Sequence, residues 1–167
     1  GLSQAEISYQ HATQYAKDRV QGVPINKKNS TNTREETIIA HPDVRRMLME
    51  QKSFIEGARA FSIWCSLLID RGNYLNDTNS TGLVSLLIPV FKAFLSDKGF
   101  DSTISAQQVM GGHGYIEESG MSQFVRDSRI AMIYEGTNGV QAIDLVGRKL
   151  LASGGVYVVQ FLSLIHI

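Results

Sequence analysis

The stretch FVRDSRIAMIYEGTNGVQAIDLVGRKL, residues 124–150, contains the features around which the rest of the chain is organised. An apolar run at 130–133 leads to the carboxylate of Glu135, and the polar, flexible Thr137-Asn138-Gly139 follows. Thr137 and Asn138 are residue types that cap helices. A helix that ends at a carboxylate and is followed at once by a capped helix can direct that carboxylate into a cleft. The stretch therefore predicts two helices with Glu135 at their junction.

Outside this stretch, apolar residues recur mostly at steps of three and four, the pattern of amphipathic helices. We predict a helix over 2–20, a loop over 22–40, and a long helix from Pro42 to about residue 70, where Arg71-Gly72-Asn73 would end it. A third helix would begin near Leu83, with a mild kink or a late start at Pro89.

We expect this third helix to continue across Gly99 to the glycines at 111–114, which would stop it. A short helix through Phe124 to about Ile130 would follow, and the last helix would begin at Thr137 or Asn138. Only the C-terminal tail has a composition that favours strands. The predicted fold class is all-α, an antiparallel up-and-down helical bundle.

The composition limits the classes of function that the chain can have. Hydrophobic residues make up 43% and charged residues 19%, with 16 basic and 16 acidic side chains. This balance argues against a nucleic acid or a membrane surface as a charge-driven partner. The single cysteine, Cys65, cannot form an internal disulfide and lies in an apolar run, so we expect a core residue and a cytoplasmic location. The histidines lack partners at metal-ligand spacing, and we predict no metal site.

Both ends of the chain suggest a part of a longer protein. The sequence starts without Met, and residues 156–167 are apolar but shorter than the roughly 20 residues that span a bilayer. We therefore predict a helical domain over 1–150. We expect the tail, 151–167, to be non-native or truncated.

Three local features have both a structural and a functional interpretation. The glycines at 111–114 end a helix, but they also let a backbone approach a ligand closely. Arg126-Asp127 is most simply a structural ion pair. A carboxylate such as Glu135 is usually at the surface. Its apolar neighbours Ile133 and Tyr134 could instead desolvate it, and desolvation raises the pKa of a carboxylate toward that of a general base.

The order of these features is more specific than any one of them. Gln108-x-x-Gly111-Gly112-x-Gly114-Tyr115, then Arg126-Asp127, then Ile133-Tyr134-Glu135-Gly136-Thr137, closely resembles the C-terminal helical domain of acyl-CoA dehydrogenases. The resemblance covers residues 1–150. The segments 41–48, 112–116 and 138–142 are similar to the bacterial branch that includes 3-methylmercaptopropionyl-CoA dehydrogenase.

The resemblance implies an FAD-dependent enzyme of fatty acid metabolism that oxidises the Cα–Cβ bond of an acyl-CoA thioester to a 2-enoyl-CoA. It implies that Glu135 is the base that removes the α-proton, that its N–H helps to polarise the thioester carbonyl, and that Gly136 leaves room for the substrate. Further residues match positions at which the family contacts FAD, some of them on a neighbouring subunit. They are Arg19, Gln21, Gln108, Gly111, Gly112, Thr137, Asn138 and Gly139.

The same resemblance implies a homodimer or homotetramer, an acyl-CoA substrate and an electron-transfer flavoprotein or similar acceptor. The family's N-terminal helical domain and middle β-domain are not in this sequence, so we expect the chain alone to bind FAD poorly and to have no turnover. Two alternatives stay open at this point. One is an acyl-CoA oxidase of the same superfamily, and the other is a helical binding or interaction module without catalysis.

Overall fold

The computed structural model describes residues 1–25 and 34–165, and the regular elements of these residues are helices, apart from one isolated bridge between Val20 and Thr37. The helices are α1 Leu2–Asp18, α2 Pro42–Leu75, α3 Thr78–Met110, α4 Gly112–Tyr115, α5 Met121–Arg129, α6 Asn138–Asp144 and α7 Val156–Ile165. Short 3-10 turns lie at Ile38–Ala40, Glu117–Ser119, Ile130–Met132 and Ala152–Gly155, and Leu145–Lys149 is a π-helical turn. The predicted all-α bundle is confirmed.

The chain forms two compact units, each with its own core. The first contains the described residues among 1–57 and 97–131. Its core is made of small residues of α1 and larger ones of α2, α3 and α5, namely Ala12, Ala16, Met47, Leu48, Ala106, Val109, Met110 and Met121, together with Ile38. The alanines of α1 leave no exposed surface, which is how a short helix packs closely against longer ones.

The second unit contains residues 58–96 and the segment that starts at Met132. Its buried centre is Leu68, Leu83 and Leu87, and the aromatic side chains around it include Trp64, Tyr157 and Phe161. Trp64 and Phe161 stack with ring centroids 6.3 Å apart and an interplanar angle of 24°. Cys65 packs against this cluster as predicted, and burial raises the pKa of its thiol.

The long helices differ from the prediction at the turn between them. Arg71-Gly72-Asn73 does not end α2, which continues to Leu75. Gly72 lies inside the helix, where a Cβ would be only 2.6 Å from Oγ1 of Thr81 in α3. Gly72 is thus a site of close helix approach and not a stop signal.

The helix α3 begins at Thr78, earlier than the predicted Leu83, because Asp77 caps its first turn. One carboxylate oxygen of Asp77 accepts the N–H groups of Asn79 and Ser80 at 3.1 and 3.2 Å. The helix then runs without a break through Pro89 and Gly99, and its continuation across Gly99 is confirmed.

The C-terminal tail is helical over Val156–Ile165, although its composition favours strands. In α7, Tyr157 and Phe161 pack on the core of the second unit, and this packing outweighs the strand preference of the valines. Whether residues 151–167 are native to the domain stays a prediction. Within residues 1–25 and 34–165, no helix combines the length and apolar character that crossing a bilayer requires.

Candidate functional site

The backbone around Glu135 is a tight turn between the 3-10 turn at Ile130–Met132 and α6. Glu135 has φ +53° and Gly136 has φ +81°, so two successive residues adopt positive φ. For a residue with a Cβ this conformation costs about 1–2 kcal/mol, which the surrounding contacts must offset. The predicted carboxylate at a helix junction is therefore confirmed, and its backbone is strained.

Thr137 caps α6, as the sequence predicts, because its Oγ1 accepts the N–H of Val140 at 3.3 Å. The side-chain amide of Gln141 lies 3.4 Å from the carbonyl oxygen of Glu135 and 3.5 Å from that of Gly136. A Cβ on Gly136 would come within 2.9 Å of this amide nitrogen. The glycine after Glu135 is therefore favoured by its φ, and a Cβ there would also make the Gln141 side chain shift.

The side chains at this turn face outward. Ile133, Tyr134 and Glu135 are all exposed, with 47% of Ile133 and 50% of Tyr134 accessible. The expectation that these two neighbours desolvate Glu135 is wrong for the described residues. A dry environment for the carboxylate would require further groups around it.

The turn is anchored by Lys92 of α3, which the sequence analysis did not identify. Its ammonium donates hydrogen bonds to the carbonyl oxygen of Gly136 at 2.7 Å and to Oδ1 of Asn138 at 2.8 Å. A signal was available in the sequence, because Lys92 is a lone cation in an otherwise apolar run that includes Phe91 and Leu95. A lysine in such a run needs a partner when the helix packs.

Asn138 is turned inward toward α3. Its Nδ2 donates to Oγ of Ser96 at 3.0 Å and lies 3.4 Å from the carbonyl oxygen of Ala93. Ser96 is buried, and its hydroxyl donates to the carbonyl oxygen of Lys92 at 2.8 Å. The side chain of this predicted cofactor residue is thus used inside the second unit, whereas Thr137 and Gly139 are exposed.

In the first unit, a cavity of about 390 Å³ brings together Arg19, Gln21 and Gly111. Tyr15 and His41 also line it. Backbone pairing holds the segment in place, because the N–H of Gln21 donates to the carbonyl oxygen of Glu36 at 3.0 Å. The ring of His41 lies 2.9 Å from the carbonyl oxygen of Gln21. Three of the predicted cofactor residues therefore share one cavity.

Gln108 and Gly112 are exposed, but they do not line this cavity. Gly111 has φ +59° and ends α3, and a Cβ on Gly111 or Gly112 would meet nothing within 4 Å. Gly114 differs, because its Cβ would lie 2.6 Å from the carbonyl oxygen of Gln107. The glycine segment thus combines a helix stop, a close internal contact and an open backbone surface.

Arg126 does not pair with Asp127 as predicted. Its guanidinium donates to Glu117 at 3.2 Å and to the side chain of Gln123 at 2.7 Å, and Asp127 accepts from the Gln123 amide at 2.6 Å. Adjacent residues on a helix point in different directions, whereas residues three and four apart are neighbours. Among the residues described, no three His, Cys, Asp or Glu side chains are grouped so that they could hold a metal ion.

Known proteins resemble this chain over most of its length. The family described as "Acyl-CoA dehydrogenase, C-terminal domain" matches residues 1–151. The 3-methylmercaptopropionyl-CoA dehydrogenase of Ruegeria pomeroyi is 39% identical over 99% of this chain and 28% of its own length. A broad-specificity linear acyl-CoA dehydrogenase of Mycobacterium tuberculosis is 33% identical over 93% of this chain and 26% of its own length.

A solved structure gives the same answer. Butyryl-CoA dehydrogenase from Megasphaera elsdenii superposes with a TM-score of 0.67 at 28% identity, over 89% of this chain and 33% of that one. The chain thus spans between a quarter and a third of the length of these relatives. The match over residues 1–151 shows that this chain belongs to the acyl-CoA dehydrogenase family and corresponds to its C-terminal domain.

Proposed function

We propose that the protein containing this chain is an FAD-dependent acyl-CoA dehydrogenase and that Glu135 is its catalytic base. The observation that carries the proposal is the position of Glu135 in a chain of this family. It is an exposed carboxylate on a strained turn that is held from α3 and followed directly by a capped helix. Strain of this kind is typical of functional sites.

The chemistry requires a proton to leave the carbon next to a thioester carbonyl. Glu135 would accept that proton from Cα, and bound FAD would supply the acceptor for the β-hydrogen, which leaves as hydride. Negative charge builds on the thioester oxygen during proton removal, and the backbone N–H of Glu135 would donate a hydrogen bond to it. Gly136, without a Cβ, would leave the approach to the carboxylate open.

Residues of the first unit have the chemical groups that binding of FAD requires. A dinucleotide needs cations and backbone groups that can come close to it. The cavity beside Arg19 and Gln21 supplies a guanidinium, and the open surface at Gly111 and Gly112 has room for a close contact. We propose that these residues and Gln108 contact the FAD of a neighbouring subunit.

In the second unit we propose Thr137, Asn138 and Gly139 as further contacts to FAD. Asn138 would contribute through its backbone, because its side chain already forms hydrogen bonds with Lys92 and Ser96 of α3.

The substitution Glu135→Gln in the full-length enzyme tests the assignment of the base. It keeps the size of the side chain and removes its ability to accept a proton. We expect flavin reduction by acyl-CoA, followed as loss of FAD absorbance under anaerobic conditions, to slow by about 10²–10⁴-fold, the usual contribution of a general base. The FAD content of the purified variant should stay unchanged.

The matched control is Glu118→Gln, which removes an exposed carboxylate from the first unit. It should leave flavin reduction unchanged. Near-parental reduction by Glu135→Gln would show that another group is the base. Absence of acyl-CoA-dependent reduction in the parental enzyme would overturn the proposed function itself.

We further propose that the enzyme is a homodimer or homotetramer, since the proposed FAD contacts cross subunits. An electron-transfer flavoprotein or a similar protein would be the acceptor, and the location would be the bacterial cytoplasm. The mass of the full-length enzyme by light scattering tests the first point. A monomer that retains FAD would contradict it.

A further inference from the structure

A ring of hydrogen bonds joins α3 to the turn that carries Glu135. The Lys92 ammonium donates to Oδ1 of Asn138, Nδ2 of Asn138 donates to the Ser96 hydroxyl, and that hydroxyl donates to the carbonyl oxygen of Lys92. The same ammonium also donates to the carbonyl oxygen of Gly136. One side chain therefore holds both the peptide between Gly136 and Thr137 and the first residue of α6.

The orientation of the Asn138 amide follows from the chemistry of its neighbours. An ammonium has three donors and no acceptor, so the amide must turn its oxygen toward Lys92. Its nitrogen then points to the Ser96 hydroxyl, which can accept because its own proton is donated to the carbonyl oxygen of Lys92. These three bonds run in one direction around the ring, and satisfied networks of this kind make a structure rigid. The carbonyl oxygen of Ala93 at 3.1 Å and Oδ1 of Asn138 at 3.2 Å are further acceptors near the same Ser96 hydroxyl.

The turn has a reason to need such an anchor. Positive φ at Glu135 and Gly136 is an unfavourable conformation for the first of these residues, and the Glu135 side chain is exposed with no core contact to orient it. Gln141 approaches the carbonyl oxygens of Glu135 and Gly136 only at 3.4 and 3.5 Å, which is long for a hydrogen bond. The short contacts at 2.7 and 2.8 Å come from Lys92.

We propose that Lys92, through Asn138 and Ser96, is the positioning group that fixes the direction of the Glu135 carboxylate toward the substrate. It acts on the backbone of the turn and touches neither substrate nor FAD. The proposal rests on the proposed function, because it assigns a task to the base. A compact ammonium suits this position, since two acceptors on different residues converge on one nitrogen, whereas the wider guanidinium of arginine would displace them.

The test uses the full-length FAD-loaded enzyme and the substitution Lys92→Met, which keeps an unbranched apolar stem and removes all donors. The first readout is amide hydrogen exchange in a peptide that covers residues 130–141. Exchange there should accelerate by about tenfold or more, because two charge-assisted hydrogen bonds to the turn are lost. Exchange in α5 should not change.

The second readout is kinetic. The rate constant of flavin reduction should fall by about tenfold or more, since displacement of a base by an ångström has an effect of this order, while KM for acyl-CoA and FAD content change by less than about threefold. Lys92→Gln retains one amide donor and should recover part of the rate. If Lys92 had only a structural role, Lys92→Met would lower stability without a selective fall in kcat relative to KM.

Lys149→Met is the matched control. Lys149 is another lysine of the second unit that donates to a serine of α3, Ser85, at 2.7 Å, and it makes no bond to the turn. Both readouts should equal those of the parental enzyme. If Lys92→Met does not fold, Ser96→Ala continues the test, because it removes one link of the ring and should accelerate exchange of the turn by about two- to fivefold.

The outcomes separate the two proposals. Unchanged exchange of the turn in Lys92→Met and in Ser96→Ala would overturn the positioning role, as would unchanged flavin reduction beside faster exchange. A parental enzyme that acyl-CoA does not reduce would overturn the proposed function. In that case, the exchange experiment would still show whether Lys92 holds the turn.

Discussion

Replacement of Gly82 by alanine tests whether α7 is docked on α3. The sign of the change in the free energy of unfolding gives the answer. In a helix interior, alanine is more favourable than glycine by about 1 kcal/mol. Gly57 in α2 provides the reference, because a Cβ there meets nothing within 4 Å. Gly57→Ala should therefore increase the free energy of unfolding by about 1 kcal/mol.

Gly82 lies in a different environment. A Cβ at this position would overlap the ring of Tyr157, so the ring must leave its place against the core of the second unit. Overpacking of this kind costs about 1–3 kcal/mol, which exceeds or cancels the gain in helix propensity. We expect Gly82→Ala to lower the free energy of unfolding by about 0–2 kcal/mol, as the difference between these two estimates.

A double-mutant cycle isolates the contact. In the Tyr157→Ala background the overlap is gone, and Gly82→Ala should become stabilising by about 1 kcal/mol, like the control. The coupling energy between the two positions should thus be about 1–3 kcal/mol. Urea unfolding of the 167-residue chain, followed by circular dichroism, provides the measurement. A stabilising effect of Gly82→Ala in the intact chain would refute the docking of α7.

Two further expectations concern the second unit. Hydrogen bonds from Ser80, and then the charge of Arg71, hold the pKa of Asp77 below its usual value. The ionised carboxylate therefore stabilises the fold fully at pH values above the unfolded pKa of about 3.9. This stabilisation is lost as the pH falls from that value through the lower folded pKa. The urea midpoints of the parental chain and Asp77→Asn should accordingly differ at pH 7, and the difference should shrink as the pH falls below about 3.9. A difference that does not change with pH would contradict the role of the charge. Leu87 is 1% exposed, and Leu87→Ala should lower the free energy of unfolding by about 2–5 kcal/mol. Ile88 is 55% exposed, and Ile88→Ala should lower it by less than about 1 kcal/mol. Similar losses at both positions would contradict the packing.

The fold class could be predicted from periodicity, but the ends of the long helices could not. Gly72 has the sequence signature of a stop, and only the proximity of Thr81 shows that it serves packing. Gly99 lies in a helix interior, as predicted. The need for glycine at this position also comes from tertiary packing, because a Cβ there would lie 2.6 Å from the Gly1 backbone. Local sequence identifies a glycine, whereas the partner that needs it is distant along the chain.

The same limit applies to the candidate site. The cap at Thr137 and the turn at Glu135 depend on neighbouring residues, and the sequence predicted both. Lys92 and Ser96 act on this turn from α3, and neither their distances nor the orientation of Asn138 can be read from local patterns. The Arg126-Asp127 pair is not formed for a simpler reason, because residues adjacent in sequence point in different directions on a helix.

The stacking of Phe161 on Trp64 gives the protein an internal optical reporter. Trp64 is the single tryptophan of the chain, so its emission comes from one place, beside α7. Release of α7 would expose one face of the indole to water, and emission should then shift to longer wavelength. Fluorescence and circular dichroism would therefore follow different events in the same unfolding experiment, the former the C-terminal helix and the latter the helices as a whole.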